Sequence, residues 1–205
     1  MKRRVGIMGG TFDPIHYGHL VCAEEARHQF NLDEVIFIPA GHPWQKEDTS
    51  DAEDRYMLVT LATADDSHFS VSRIEIDRRG PTYTLDTLRI LNDFYGEMTE
   101  VFFITGADAV LDILTWKDAD AVLSRAHFIA ATRPGFDLAK LESQQFAGRV
   151  SPMHIPALAI SSTDIRLRVR EGRPIRYLMP PHVADYIIKN GMYIRKSAVE
   201  SGAGA

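Results

Sequence analysis

The stretch Gly9-Gly10-Thr11-Phe12-Asp13-Pro14-Ile15-His16-Tyr17-Gly18-His19 gathers residue types that handle anions. It follows a short apolar run, Val5–Met8, that reads as a buried strand stopped by the paired glycines. Lacking Cβ atoms, Gly9 and Gly10 let backbone N–H groups turn toward a ligand, and Thr11 and Phe12 complete that phosphate-binding turn. Pro14 stiffens the loop before a helix begins. His16 and His19, three apart at the helix start, share one face, and Gly18 between them leaves room for a ligand against the backbone. A helix start attracts phosphate through its free N–H groups and dipole, and two imidazoles add donors. A plain turn with two surface histidines is the rival reading, but the order strand, glycine turn, helix start supplies every part an anion site needs. Zinc is disfavoured: the usual helical pair stands four apart and no third ligand accompanies this one, so no metal site is assigned.

A second anion-binding helix start is predicted at Ile160-Ser161-Ser162-Thr163-Asp164-Ile165-Arg166. Ser161 with Asp164 resembles a capping box, although Asp stands where Glu or Gln is usual. Ser161, Ser162 and Thr163 offer N–H and hydroxyl donors, and Arg166 adds a cation suited to a phosphate tail. Arg149, Arg166, Arg168, Arg170, Arg173 and Arg176 set six cations against Asp164 and Glu171, a local balance of +4. Triphosphate binding explains that charge more simply than nucleic acid, because no aromatic interleaving accompanies it. Three further features sit mid-chain. Pro81-Thr82-Tyr83-Thr84 opens a helix whose N–H groups can hold a carboxylate. Gly106-Ala107-Asp108 follows a strand, placing Asp108 to bind ribose hydroxyls, and the indole of Trp116 can stack on a flat heteroaromatic ring. Taken singly, Trp116 reads as core and Asp108 as a helix cap. Lys46, on the loop after the second strand, reads equally as a phosphate ligand or a solvated lysine. Cys22 reads as a small buried helix residue with no base beside it.

These residues need a scaffold, and the rest of the chain alternates strand and helix signals. Strands are predicted at Val5–Met8, Val35–Ile38, Phe69–Ile76, Val101–Thr105, Phe128–Thr132 and Val150–Pro156. Helices are predicted at Gly18–Phe30, Asp51–Ala64, Thr84–Tyr95, Val110–Leu123, Ser161–Arg170 and Pro180–Asn190. The pattern predicts an α/β fold, a Rossmann-like doubly wound, mainly parallel sheet with helices on both faces and a small C-terminal helical segment. Ligands then bind outside the carboxyl ends of the strands at the switch point, where the Gly9–His19 turn must lie. Residues 1–196 read as one domain, Asp137–Gly148 as a mobile surface insertion, and 197–205 as a disordered tail.

Composition agrees. The chain has 205 residues, 45% of them hydrophobic, which suffices for a buried core. With 23 Lys and Arg against 28 acidic residues its net charge is −5, which argues against a nucleic-acid coat or a binder of anionic membranes. One cysteine excludes an intrachain disulfide and fits a reducing, cytoplasmic setting. No apolar run reaches the roughly 18 residues of a membrane helix.

Gly10-Thr11-Phe12-Asp13-Pro14 with His16-x-Gly18-His19 resembles the H-x-G-H nucleotidyltransferases, relatives of the class I aminoacyl-tRNA synthetases, and the I-S-S-T-x-I-R run resembles their C-terminal motif. The elements P-x-Y-T, T-G-A-D and the following Trp narrow the resemblance to bacterial nicotinate-nucleotide adenylyltransferases, over most of Arg4–Ile194. It implies ATP and nicotinate mononucleotide as partners, adenylyl transfer as the reaction, and Mg2+ carried by ATP. It further implies that His16, His19, Arg166 and Lys46 act on phosphates, that Tyr83 and Thr84 receive the nicotinate carboxylate, and that Trp116 stacks on the pyridine. Gly106 and Asp108 take the ribose. Trp44 and Gln45 depart from the Pro-His usual before that lysine, and Arg133 falls in a matching Arg-Pro-Gly segment. Pantetheine-phosphate and nicotinamide-nucleotide adenylyltransferases are the neighbouring alternatives, and a nucleotide-binding regulator of the same fold is the non-enzymatic one. Homo-oligomerisation stays open.

Overall fold

Buried side chains alternate along the strands between two separate hydrophobic cores, and this alternation organises the molecule. The structure, a computed structural model, describes residues 2–43, 49–80, 82–113, 118–132, 137, 141, 148–156 and 158–194. The strands are β1 (Arg3–Gly10), β2 (Glu34–Pro39), β3 (Phe69–Val71), β4 (Thr99–Gly106), β5 (His127–Thr132) and β6 (Val150–His154). They form one parallel sheet in the order β3-β2-β1-β4-β5-β6. Val5, Ile7, Ile36, Ile38, Val101 and Phe103 face one side, and Met8, Val35, Phe37, Phe102 and Ile104 face the other, the period of two that a pleated strand imposes. The first side is covered by α3 (Thr84–Tyr95), α4 (Ala107–Ile113) and α5 (Ala119–Leu123), through Leu88, Val110 and Leu123. The second is covered by α1 (Tyr17–Gln29), α2 (Ala52–Thr63), α6 (Ser162–Arg170) and α7 (Pro181–Lys189), through Ala23, Leu58, Ile165 and Val183. Each fully buried Leu, Ile or Val contributes about 1.5–3 kcal/mol. The expected doubly wound arrangement is therefore the one observed.

From β1 the chain winds outward to β2 and β3, then returns to β4 on the other side of β1. The strand order therefore reverses between β1 and β4, the place where sheets of this kind bind ligands outside the carboxyl ends of their strands.

Three local expectations differ. β3 stops at Val71 instead of reaching Ile76. Its neighbour in the sheet, β2, ends at Pro39, which has no N–H to continue a ladder; Ser72 makes a last bond to the Phe37 carbonyl and the chain turns. The helix expected over Val110–Leu123 is two: α4 begins at Ala107, directly after β4, and α5 begins after Asp118, whose left-handed φ of 63° cannot continue a helix. The segment expected to be a surface insertion contains Leu141, which is buried in the core that the sheet shares with α3, α4 and α5. The rest of that segment, apart from Asp137 and Gly148, and the tail from 197 lie outside the described residues. No helix among the described residues is long and apolar enough to cross a membrane.

Candidate active site

α1 starts on a histidine. His16 has extended backbone (φ −152°, ψ 171°) and caps the helix: its Nδ1 accepts the Gly18 N–H at 3.1 Å, while Nδ1 of His19 accepts the His16 N–H at 3.2 Å. This is a reciprocal capping box in which two imidazoles replace the usual hydroxyl and carboxamide. A neutral imidazole that accepts at Nδ1 carries its proton on Nε2, so these backbone contacts assign the tautomer of each ring. The rings stack with centroids 3.9 Å apart and planes 30° apart. The expected free space at Gly18 is taken by the site itself: a Cβ there would stand 3.0 Å from the His16 ring. Gly10 likewise lies under the Phe12 ring, which packs edge-on against His19 at 5.2 Å.

The other wall comes from α6. Ser161 Oγ accepts the Asp164 N–H at 3.1 Å, so half of the expected capping box forms. Asp164 turns instead to Arg168 at 2.7 Å, and that guanidinium holds its carboxyl below the ordinary value. Ser162 Oγ donates to the Pro14 carbonyl at 2.8 Å, and Arg166 Nη1 donates to the Asp13 carbonyl at 2.7 Å. The Thr163 hydroxyl accepts from Arg166 Nη2 at 3.4 Å. These bonds bring the early glycine turn and the late helix start together around a cleft of about 110 Å³, lined by Thr11, Phe12, Asp13, His19, Thr49, Ser162 and Arg166. Sites for drug-sized ligands run to ~300–1,000 Å³, so this cleft suits a phosphate group and leaves the remainder of a nucleotide outside.

Of the six arginines in the basic run, Arg166 is the one lining the cleft. Arg168 and Arg173 pair with Asp164, Arg173 also with Glu171, and Arg176 with Asp185. Counting Asp185 lowers the local balance from +4 to +3, so the run stays cationic, but three of its arginines are engaged in surface ion pairs and do not line the cleft.

At the same sheet edge, Tyr83 precedes α3 at the cap position, is half exposed and gives the helix no side-chain cap. Thr84 is its first residue, and Thr82 ties it to the loop after β2 through the His42 carbonyl at 3.2 Å. Gly106 ends β4 with open space above it, and Asp108 lies exposed in the first turn of α4. Gly9 pairs with Ile38 within the sheet. Lys46 and Trp116, together with Trp44, Gln45 and Arg133, lie outside the described residues. Cys22 is buried, which pushes its thiol up to about 12 and removes it as a nucleophile.

Sequence reading assigned no role to Asp13, Thr49, Arg55 or Tyr193. Arg55 is 1% exposed and donates to three carbonyls: Ser50 at 3.0 Å, Thr11 at 2.9 Å and Gly41 at 3.1 Å. It thereby fastens the turns after β1 and β2 to the start of α2, and burial lowers its pKa against the pull of Asp13 and Asp51. A signal existed: Arg55 shares a helical face with Leu58, Val59 and Thr63, where an apolar residue belongs.

A nucleotidyltransferase class is what this switch-point cleft and histidine turn define, and residues 7–168 match the cytidylyltransferase-like family. A probable nicotinate-nucleotide adenylyltransferase of Moorella thermoacetica is 55% identical over 198 residues, covering 93% of this chain and 91% of its own. Another, from Salinispora arenicola, is 56% identical over 188 residues, covering 91% of this chain and 99% of its own. The solved Plasmodium falciparum nicotinic acid mononucleotide adenylyltransferase complexed with NaAD shares the fold, with a TM-score of 0.78 at 23% identity over 93% of this chain and 97% of that one. The chain belongs to the nicotinate-nucleotide adenylyltransferase family of nucleotidyltransferases.

Proposed function

We propose that this chain transfers the adenylyl group of ATP to nicotinate mononucleotide, giving nicotinate adenine dinucleotide and pyrophosphate. The observation that carries this reading is the meeting of His19 and Arg166 on one phosphate-sized cleft, in a chain 55% identical to a probable nicotinate-nucleotide adenylyltransferase. The mononucleotide's phosphate oxygen attacks the α-phosphorus of ATP, and the bond from that phosphorus to the bridging oxygen breaks, so pyrophosphate leaves with the electron pair. The attacking oxygen is already anionic, so no base or covalent nucleophile is required. What the protein supplies is alignment of two polyanions, which can lower a barrier by roughly 7–11 kcal/mol, and donors aimed at the departing charge.

In this reading the turn Gly9–Phe12 and the Nε2–H groups of His16 and His19 hold the ATP phosphates, with His19 acting chiefly on charge developed in the transition state. Arg166 and the N–H groups at Ser161–Thr163 receive the pyrophosphate, and Lys46 holds phosphate from the loop after β2. Tyr83 and Thr84 receive the nicotinate carboxylate on the uncapped start of α3, Trp116 stacks on the pyridine, and Gly106 and Asp108 take ribose. The helix dipole at α3 favours an acid over an amide by about 0.3–1 kcal/mol, or two- to five-fold. Mg2+ enters as part of the Mg–ATP substrate and neutralises phosphate charge. This fits the donors present: the cleft carboxylate, Asp13, has one oxygen on the Ser50 N–H and the other on the Tyr193 hydroxyl. The buried thiol of Cys22 suits a cytoplasmic setting.

The test is pyrophosphate release from ATP with nicotinate mononucleotide, nicotinamide mononucleotide and pantetheine phosphate offered separately. Fastest turnover with the first, with dinucleotide recovered as product, is the expected result. Turnover confined to pantetheine phosphate, or nucleotide binding without release, would overturn the reading.

A further inference from the structure

A carboxylate inside a site for polyanions calls for a reason, and the contacts of Asp13 supply one. The residue is 4% exposed. Its Oδ1 accepts the Tyr193 hydroxyl at 2.8 Å and its Oδ2 accepts the Ser50 N–H at 3.2 Å. A buried charge held this way is costly to displace, so the side chain is fixed at both oxygens. The peptide carbonyl of the same residue accepts Arg166 Nη1 at 2.7 Å. Asp13 is therefore the single residue between a phenol that follows α7 and the guanidinium that lines the cleft. Tyr193 is committed to this position, since it holds a left-handed φ of 66° that a non-glycine residue seldom adopts. Its burial and the facing Asp13 keep the phenol protonated well above its ordinary range, so it remains a donor.

We propose that Tyr193 is a positioning residue for the transfer reaction: by holding Asp13 it fixes the carbonyl that orients Arg166, and so the direction in which Arg166 meets the departing pyrophosphate. This rests on reading the cleft as the phosphate end of the site. A tether that merely fastened the end of the chain to the core would stabilise the protein without reference to Arg166, and the two roles separate in a double-mutant cycle.

Inorganic pyrophosphate is titrated calorimetrically into the wild type, Tyr193→Phe, Arg166→Lys and the double variant. Phenylalanine keeps the ring and removes only the hydroxyl; lysine keeps the charge and loses the fork that spans Asp13 and Thr163. Tyr193→Phe is expected to weaken pyrophosphate about tenfold alone, the scale of one lost bond to a charged group, and by less than about twofold in the Arg166→Lys background. The same coupling should appear in kcat/KM for ATP, with KM for the mononucleotide unmoved, so a weakly binding variant still reports. Equal losses in both backgrounds, or unchanged binding with a lowered Tm, would overturn the proposal. Wild-type protein that binds pyrophosphate yet forms no dinucleotide would refute the assigned reaction and leave the positioning role standing; wild-type protein that binds none would overturn both.

Discussion

His19 performs two tasks with two nitrogens, and substitution can remove them one at a time. Nδ1 caps the His16 N–H at 3.2 Å, and Nε2 is the donor assigned to the transition state. Alanine removes both. Loss of a helix cap costs ~1 kcal/mol, which for a chain of this size lowers Tm by about 2–4 °C. Loss of one transition-state donor costs about 2.7–4 kcal/mol, a fall in kcat of about 10²–10³. Asparagine places its carboxamide oxygen near the Nδ1 position but has nothing at Nε2, so His19→Asn should keep Tm near the wild-type value and still lose about 10²–10³ in kcat. Glutamine is the usual capping-box residue at this position, so His19→Gln should also hold Tm near the wild-type value, and activity above that of asparagine measures how far its N–H reaches toward the Nε2 position. Initial rates of pyrophosphate release at saturating ATP and nicotinate mononucleotide, with thermal unfolding of the same preparations, give both readouts. An asparagine variant with wild-type kcat would refute the assignment of Nε2, and one as unstable as alanine would refute the cap.

Gly18→Ala sets helix propensity against crowding: alanine favours the helix by ~1 kcal/mol, yet its Cβ would stand 3.0 Å from the His16 imidazole. Tm should hold or rise while kcat falls about tenfold, since displacing a reacting group by a fraction of an ångström is enough for that loss; unchanged turnover would show that the ring position is not critical. Burial raises the Glu75 carboxyl above its ordinary 4.5, with the Thr87 hydroxyl opposing the shift. The folded chain thus keeps that proton to higher pH than the unfolded chain, and stability is lost as pH rises from 4.5 through the folded value. Urea unfolding at a series of pH values should show a shallower decline for Glu75→Gln, and parallel curves would contradict this. Trp116→Ala should raise KM for the mononucleotide by the worth of one stacked base, ~1–3 kcal/mol, with KM for ATP far less affected. Equal effects on both substrates would remove Trp116 from the acceptor side.

Sequence spacing made the local parts of the site readable and left the long-range ones obscure. His16 and His19 at a helix start, and Ser161 capping α6, are encoded within a few residues, so motif reading located them. The same reading left Gly18 empty, because which ring folds over a glycine depends on a side-chain torsion that spacing does not carry. It treated six arginines as one cationic run, because which acid Arg168, Arg173 and Arg176 each reach depends on side-chain torsions that a charge count does not carry. The bond from Tyr193 to Asp13 spans 180 residues and leaves no local trace at either end. The overlong third strand failed for a related reason: β-branched alternation continued, but the neighbour it needed had ended in proline.

The two hydrophobic layers on opposite faces of the sheet have an evolutionary corollary. His16, His19 and Arg166 stand on helices rooted in one layer, whereas Tyr83, Thr84 and Asp108 open helices rooted in the other. Under the proposed assignment, drift in the packing beneath α3 and α4 reshapes the acceptor side while the phosphate side, anchored across the sheet, keeps its alignment. A family that retained one side and varied the other would acquire new co-substrates without rebuilding its chemistry.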